Sequence, residues 1–127
     1  LIPAVQELVD RIQSSQKIEV ELHHYGLDQR PENSTELTIF RILQELTTNI
    51  VKHARASEAS INITSHSDSL NIMVEDNGTG FKASPLPRRT GMGLSSIEKR
   101  VENIGGIFIV DSSPGNGTTI TIDIPLT

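Results

Sequence analysis

The chain has no cysteine and no tryptophan, and only one tyrosine and three phenylalanines among 127 residues. Without cysteine there is no disulfide framework, no thiolate nucleophile and no Cys-ligated zinc. No apolar run approaches the length of a membrane span, and no signal peptide is visible. Nor is there a block of lysine and arginine; the net charge is −5, which argues against nucleic acid as the main partner. Two nucleotide-binding signatures are also missing. There is no Walker sequence ending in Gly-Lys-Ser/Thr, and no Gly-x-Gly-x-x-Gly directly after a strand. What remains, 35% hydrophobic and 21% charged, is the composition of one globular domain large enough to bury a core. The first residue is Leu1, so residues 1–127 are expected to be a fragment of a longer protein.

The strongest pattern runs from Ser34 to Arg55. Ile39, Ile42, Leu43, Leu46 and Ile50 recur at helical spacing, and Asn33 with Glu36 reads as a capping-box start. At about 100° per residue, Glu45, Asn49 and Lys52 share a sector roughly 60° wide beside that stripe. A carboxylate, an amide and an ammonium at a core edge suit a metal ion and a polyphosphate. The plain alternative is an amphipathic helix with polar pairs on its wet face.

Around it, residues 3–15 read as a short amphipathic helix and Lys17–Tyr25 as a strand alternating Ile18, Val20 and Leu22 with polar neighbours. Ala59, Ile61 and Ile63, then Leu70, Ile72 and Val74, form a hairpin that turns at residues 66–69. Lys82–Thr90 has two prolines, three cations and no periodicity. Leu94, Ile97, Val101 and Ile104 mark another helix, stopped by Gly105-Gly106. Residues 107–111 and 118–124 close the chain as a hairpin about Pro114-Gly115-Asn116-Gly117. This order predicts an α/β (α+β) two-layer sandwich, with a mixed, mostly antiparallel sheet covered by helices on one face.

Polar chemistry collects at two further places. Asp76-x-Gly78-x-Gly80 ends a strand, where a carboxylate can accept from an exocyclic amine and glycines let the backbone approach a flat ring. An ordinary Asx-Gly turn would look the same. Gly91-x-Gly93-Leu94 opens a helix, so free N–H groups and the positive end of the dipole face any anion there. A loop running into a helix is the plain alternative. The four histidines, His23, His24, His53 and His66, share no spacing that would build a zinc site.

Taken in order, Glu45-x-x-x-Asn49-x-x-Lys52-His53-Ala54, Asp76-x-Gly78-x-Gly80-Phe81, Gly91-x-Gly93-Leu94 and Gly117-Thr118 resemble the ATP-binding catalytic domain of sensor histidine kinases. The wider resemblance is to the superfamily that includes gyrase, Hsp90 and MutL. The Lys52-His53-Ala54 ending and Arg100-Val101-Glu102-x-x-Gly105-Gly106 look most like its nitrate-sensor and DesK-like branch. The resemblance implies the Bergerat-type ATP-binding fold and a set of roles. Asn49 would coordinate Mg²⁺ between the phosphates, and Glu45 would help to place that ion or its water, making these two the catalytic pair. Lys52 would contact phosphate. Asp76 would take the adenine amino group, with Gly78 and Gly80 shaping the ring's pocket and Thr118 reaching it from the sheet floor. Gly91, Gly93 and Leu94 would meet the phosphates, under a lid formed by residues 81–90. The phenylalanine-rich box of larger sensor kinases is not evident, so Lys82, Arg88 and Arg89 are candidate phosphate contacts in the lid.

The implied partners are the protein's own dimerisation and histidine-acceptor domain and a downstream response regulator. This domain is expected to be monomeric within a homodimeric whole, and cytoplasmic whether or not the whole protein is membrane-anchored. Two rival functions share the superfamily: a serine kinase acting on an anti-sigma system, and a non-catalytic nucleotide-sensing module. None of the four histidines is followed by an acidic residue, as acceptor histidines of the family usually are, so none is expected to be the acceptor.

Overall fold

The computed structural model describes residues 1–16, 18–26, 33–80 and 93–126. Among the described residues, three α-helices and five strands follow the predicted order. They are α1 (Ile2–Gln16), β1 (Glu19–Tyr25), α2 (Asn33–Asn49), β2 (Glu58–Ser65), β3 (Ser69–Asp76), α3 (Leu94–Asn103), β4 (Ile107–Ser112) and β5 (Thr118–Pro125). The strands form one sheet in the order β1-β2-β3-β5-β4. Only the β1–β2 pair is parallel, since α2 lies between those strands in sequence and carries the chain back across the sheet. The other three pairs are antiparallel, so the sheet is mixed and mostly antiparallel.

One face of the sheet is apolar because the strands alternate. Ile61, Ile63, Leu70, Ile72, Val74, Ile122 and Ile124 are all at most 2% exposed and form one core with Val5 and Val9 of α1, the α2 stripe, and Leu94, Ile97 and Val101 of α3. The opposite face carries polar residues such as Asn62, Asn71 and Thr121, together with Ile107 and Ile109 of the edge strand, which are exposed. The helices therefore cover one face, as the alternation predicts.

The central helix departs from expectation at its C-terminal end. Instead of one α-helix from Ser34 to Arg55, α2 stops at Asn49 and a π turn follows over Ile50–Ala54. A π turn bonds i to i+5 and so takes in more residues per turn. It ends on Arg55 in the left-handed region, at φ 52°. Ideal α spacing therefore holds between Glu45 and Asn49, whereas Lys52 is exposed on the π turn, where the 100° step of the prediction no longer applies. At the other end of α2, the Glu36 carboxylate accepts from the Leu1 amino group; the Asn33 side chain of the expected capping box is outside the described residues.

Candidate functional site

The sheet gathers one set of the sequence motifs at the end of β3, and α2 and α3 bring a second set together. Asp76 is the last residue of β3, in register with Ala59 on one side and Thr118 on the other. These positions share the face that the helices cover, so the carboxylate sits at the end of an apolar layer. Burial pushes the Asp76 carboxyl above the ordinary carboxylate range, opposed by a hydrogen bond from the Gly78 backbone N–H. That N–H donates to Asp76 Oδ1 at 2.8 Å. The Asx-turn reading of this stretch is thus correct as geometry, and it occupies one carboxylate oxygen. Among the described residues no donor reaches the other, Oδ2, which leaves an acceptor in a half-dry place.

Thr118 belongs to the same cluster. Its hydroxyl lies 2.9 Å from that of Ser112, which donates to the Gly117 carbonyl at 2.9 Å. Gly80 and Gly117 lock the stretch against the β4–β5 turn. Both have φ near 70°, and a Cβ on Gly80 would lie 2.2 Å from the Ser113 carbonyl oxygen; one on Gly117 would lie 2.3 Å from that of Asp76. Glycine at 80 is therefore required by the protein's own backbone crossing, in addition to any ligand. Gly78 is also buried.

The helical half of the site is built differently. Glu45 and Asn49 are one turn apart on α2 and both half-buried. Gly93, in the left-handed region at φ 64°, caps α3 and faces Glu45; a Cβ there would stand 3.0 Å from Glu45 Oε1. Leu94 follows as the first helical residue and is 2% exposed, which anchors the head of α3 in the core. The other oxygen, Glu45 Oε2, accepts from Arg100 Nη1 at 2.9 Å. Gly91 and residues 81–90, including Lys82, Arg88 and Arg89, are outside the described residues.

For a metal, the donors fit one class. Glu45 and Asn49 offer hard oxygens, and among the described residues no group of three or more His, Asp or Glu converges. A closed protein cage is thus absent there, whereas Mg²⁺ keeps waters and needs only one or two protein oxygens beside substrate phosphates.

Two participants escaped the sequence analysis. Arg100 was part of a family signature with no role. Asn77, an unspecified position within Asp76-x-Gly78, clamps the Asp76 stretch to the start of β2. Its Oδ1 accepts from the Ser57 and Glu58 N–H groups at 2.9 and 3.0 Å, and its Nδ2 donates to Ser57 Oγ at 2.9 Å. The only signal for Asn77 was its type, a side chain that can both donate and accept next to a turn.

Comparison with known proteins agrees with this geometry. Residues 34–127 match the family described as histidine kinase-, DNA gyrase B-, and HSP90-like ATPases. The chain is 32% identical over 127 residues, all of its length, to the signal transduction histidine-protein kinase/phosphatase DegS of Brevibacillus brevis, and covers 33% of that protein. It is 31% identical over 110 residues to the oxygen sensor histidine kinase NreB of Staphylococcus carnosus, covering 87% of this chain and 32% of that one. The chain thus spans about a third of the length of these curated relatives. Among solved structures, the blue-light activated histidine kinase EL346 of Erythrobacter litoralis superposes with a TM-score of 0.80 at 26% identity, over 98% of this chain and 40% of that one. The chain belongs to the histidine kinase-, DNA gyrase B- and HSP90-like ATPase family, and within it to the ATP-binding catalytic domains of sensor histidine kinases.

Proposed function

We propose that this domain binds Mg-ATP and delivers its γ-phosphate to a histidine on a separate dimerisation and acceptor domain. The observation that carries this reading is the contact between Gly93 at the head of α3 and the Glu45 carboxylate on α2. It places a helix N-terminus, able to bind phosphate, beside a pair of oxygen donors, Glu45 and Asn49, suited to Mg²⁺. The adenine would lie at the sheet end, its amino group donating to Asp76 near Thr118. The cleft beyond Asp76 is lined by Glu19, Glu21, Glu58 and Glu75 as well, so phosphates are repelled from that side and directed toward α3.

Asn49 and Glu45 would hold Mg²⁺, which when bound neutralises phosphate charge. Lys52, exposed on the π turn, is free to reach a phosphate oxygen. Gly91, Gly93 and Leu94 would cradle the phosphates with backbone N–H groups. In the transfer, a ring nitrogen of the acceptor histidine forms a bond to the γ-phosphorus as the bond to the βγ-bridging oxygen breaks and ADP leaves. The imidazole is nucleophilic enough that the chain's main contribution is positioning and electrostatics, with Glu45 assisting or orienting. The similarity of the whole chain to histidine kinases supports histidine, rather than serine, as acceptor. It also supports a response regulator as the next phosphate acceptor and a homodimeric whole protein. The nitrate-sensor and DesK-like branch rests on Lys52-His53-Ala54 and the Arg100–Gly106 stretch. Among the described residues no helix is long and apolar enough to cross a membrane. The likeness to sensor histidine kinases supports the cytoplasmic side as the place of the domain.

Calorimetry with ATP and GTP, with and without EDTA, tests the reading. ATP binding is expected to need Mg²⁺ in the wild type and to lose that dependence in Asn49→Ala. GTP presents a carbonyl where adenine has its amine, so it is expected to bind about 10- to 100-fold more weakly, the cost of facing a buried acceptor with another. Equal binding of both nucleotides would remove Asp76 from the adenine site. Radiolabelled ATP is expected to leave residues 1–127 unlabelled and to place acid-labile phosphate on an added acceptor domain.

A further inference from the structure

Glu45 meets one helix at two points, and is bonded at one of them. Gly93, at the head of α3, faces Oε1, while Arg100, near its end, reaches back to Oε2 at 2.9 Å. Seven residues separate them, about 10 Å of helix rise, and helical side chains lean toward the N-terminus, so only a long side chain at 100 can close this span. The guanidinium and carboxylate are both partly exposed, at 46% and 34%, in an open groove of about 400 Å³ between α2 and α3 that Arg41, Gln44 and Thr48 also line. A plain explanation for Arg100 is a cation in the last turn of α3, complementing the helix dipole. That leaves unexplained why it reaches across to α2, and to the carboxylate that faces Gly93.

We propose that Arg100 is a positioning residue for phosphoryl transfer, fixing the direction of the Glu45 carboxylate so that the seating of α3 on the nucleotide also sets the reacting geometry. The proposal rests on the ATP-site reading above. Because the pair is half-exposed, it adds little to stability. Its effect should therefore appear in the chemical step and not in folding. Arginine suits the task better than lysine, since its rigid fork defines the orientation of a carboxylate that a point charge merely attracts.

The test uses the full-length protein with its own acceptor domain, radiolabelled ATP for rates and calorimetry for nucleotide affinity. In Arg100→Met, kcat is expected to fall about 10- to 100-fold, the usual result of a small misplacement of a reacting group. The Kd for ATP should stay within about threefold, the signature of an interaction that matters after binding. Arg100→Lys should recover part of kcat, and it carries the same test if the methionine variant does not fold. Arg41→Met, in the same groove, should behave as wild type. An unchanged kcat in the Arg100 variants would overturn the proposal, as would a loss of kcat matched by equal losses in ATP affinity and melting temperature. Failure of the wild type to bind ATP would instead bring down the ATP-site reading, and the role of Arg100 with it.

Discussion

The two ends of the site are held by different kinds of force. At the sheet end, Asp76 is fixed by strand register, by a backbone hydrogen bond from Gly78, and by the neighbouring Asn77 clamp and glycine crossings. At the helical end, Glu45 faces Gly93, where an added Cβ would stand 3.0 Å from its Oε1, and meets Arg100 through a single half-exposed ion pair, while Asn49 stands where α-helix gives way to π turn. Backbone-to-backbone contacts have almost no freedom to relax; side-chain contacts have a great deal. On the function proposed above, the difference would give rigid recognition of a flat ring to the sheet and adjustable handling of phosphates to the helices.

The largest effect should come from the sheet end. Gly80→Ala puts a Cβ 2.2 Å from a backbone carbonyl at φ 67°, so neither partner can yield. The expected loss is about 3–5 kcal/mol in urea denaturation. Gly93→Ala has nearly the same φ but meets only the end of the Glu45 side chain at 3.0 Å. It should cost about 1–2 kcal/mol, the left-handed penalty alone. Similar losses for the two would erase the distinction between rigid and adjustable ends.

Asp76→Asn gives a smaller and two-sided effect. Burial raises the pKa of this carboxyl in the folded protein above its unfolded value. A raised acid binds its proton more tightly when folded, so its stabilising contribution exists at low pH and is lost as pH rises through the unfolded and then the folded pKa. At neutral pH the ionised Asp76 therefore opposes folding. The asparagine variant should melt higher than wild type at pH 7, with the gain vanishing below the ordinary carboxylate range near about pH 3.9. ATP affinity should fall by about 1–3 kcal/mol over the same comparison. A variant that melts lower at pH 7 would show that the Gly78 hydrogen bond, not burial, dominates this site.

What could be read from the sequence follows the same division. Period-two alternation in Ile61–Ile63 and Leu70–Val74 and the spacing of Ile39 to Leu46 specify faces, because burying one face is what each pattern is for. The Asp76 and Gly93 motifs were legible because they are contiguous. Three features were not. The π turn inserts an extra residue without disturbing the apolar stripe, whose last full anchor is Ile50 and whose next apolar neighbour, Val51, is only partly buried. The Arg100–Glu45 pair joins residues 55 apart, and a last-turn arginine is sufficiently explained by the dipole. The clash that demands glycine at 80 lies in Ser113, which only the folded register brings near. Local patterns announce faces and turns; long-range side-chain partners leave no mark on them.

The smallest expected effect probes the cap of the π turn, where the adjustable end joins β2. Arg55 is the one non-glycine among the described residues at positive φ, 52° with ψ 40°. An L-residue there bears a steric penalty of about 1–2 kcal/mol, which glycine lacks. Glycine also gives the unfolded chain more freedom, at a cost of about 0.5–1 kcal/mol. Arg55→Gly should therefore stabilise by about 0.5–1 kcal/mol, while Arg55→Ala, which keeps the penalty, should stay within about 0.5 kcal/mol of wild type. Both remove the same charge, so the pair also separates backbone from electrostatics. If the Arg55 cation served the phosphates, ATP affinity would fall equally in both variants whatever happened to stability. Unchanged affinity with a stabilised glycine variant would show that strain at the end of the π turn is local. A stabilised variant that binds ATP more weakly would show instead that the strained cap holds Lys52 and Asn49 in their working positions.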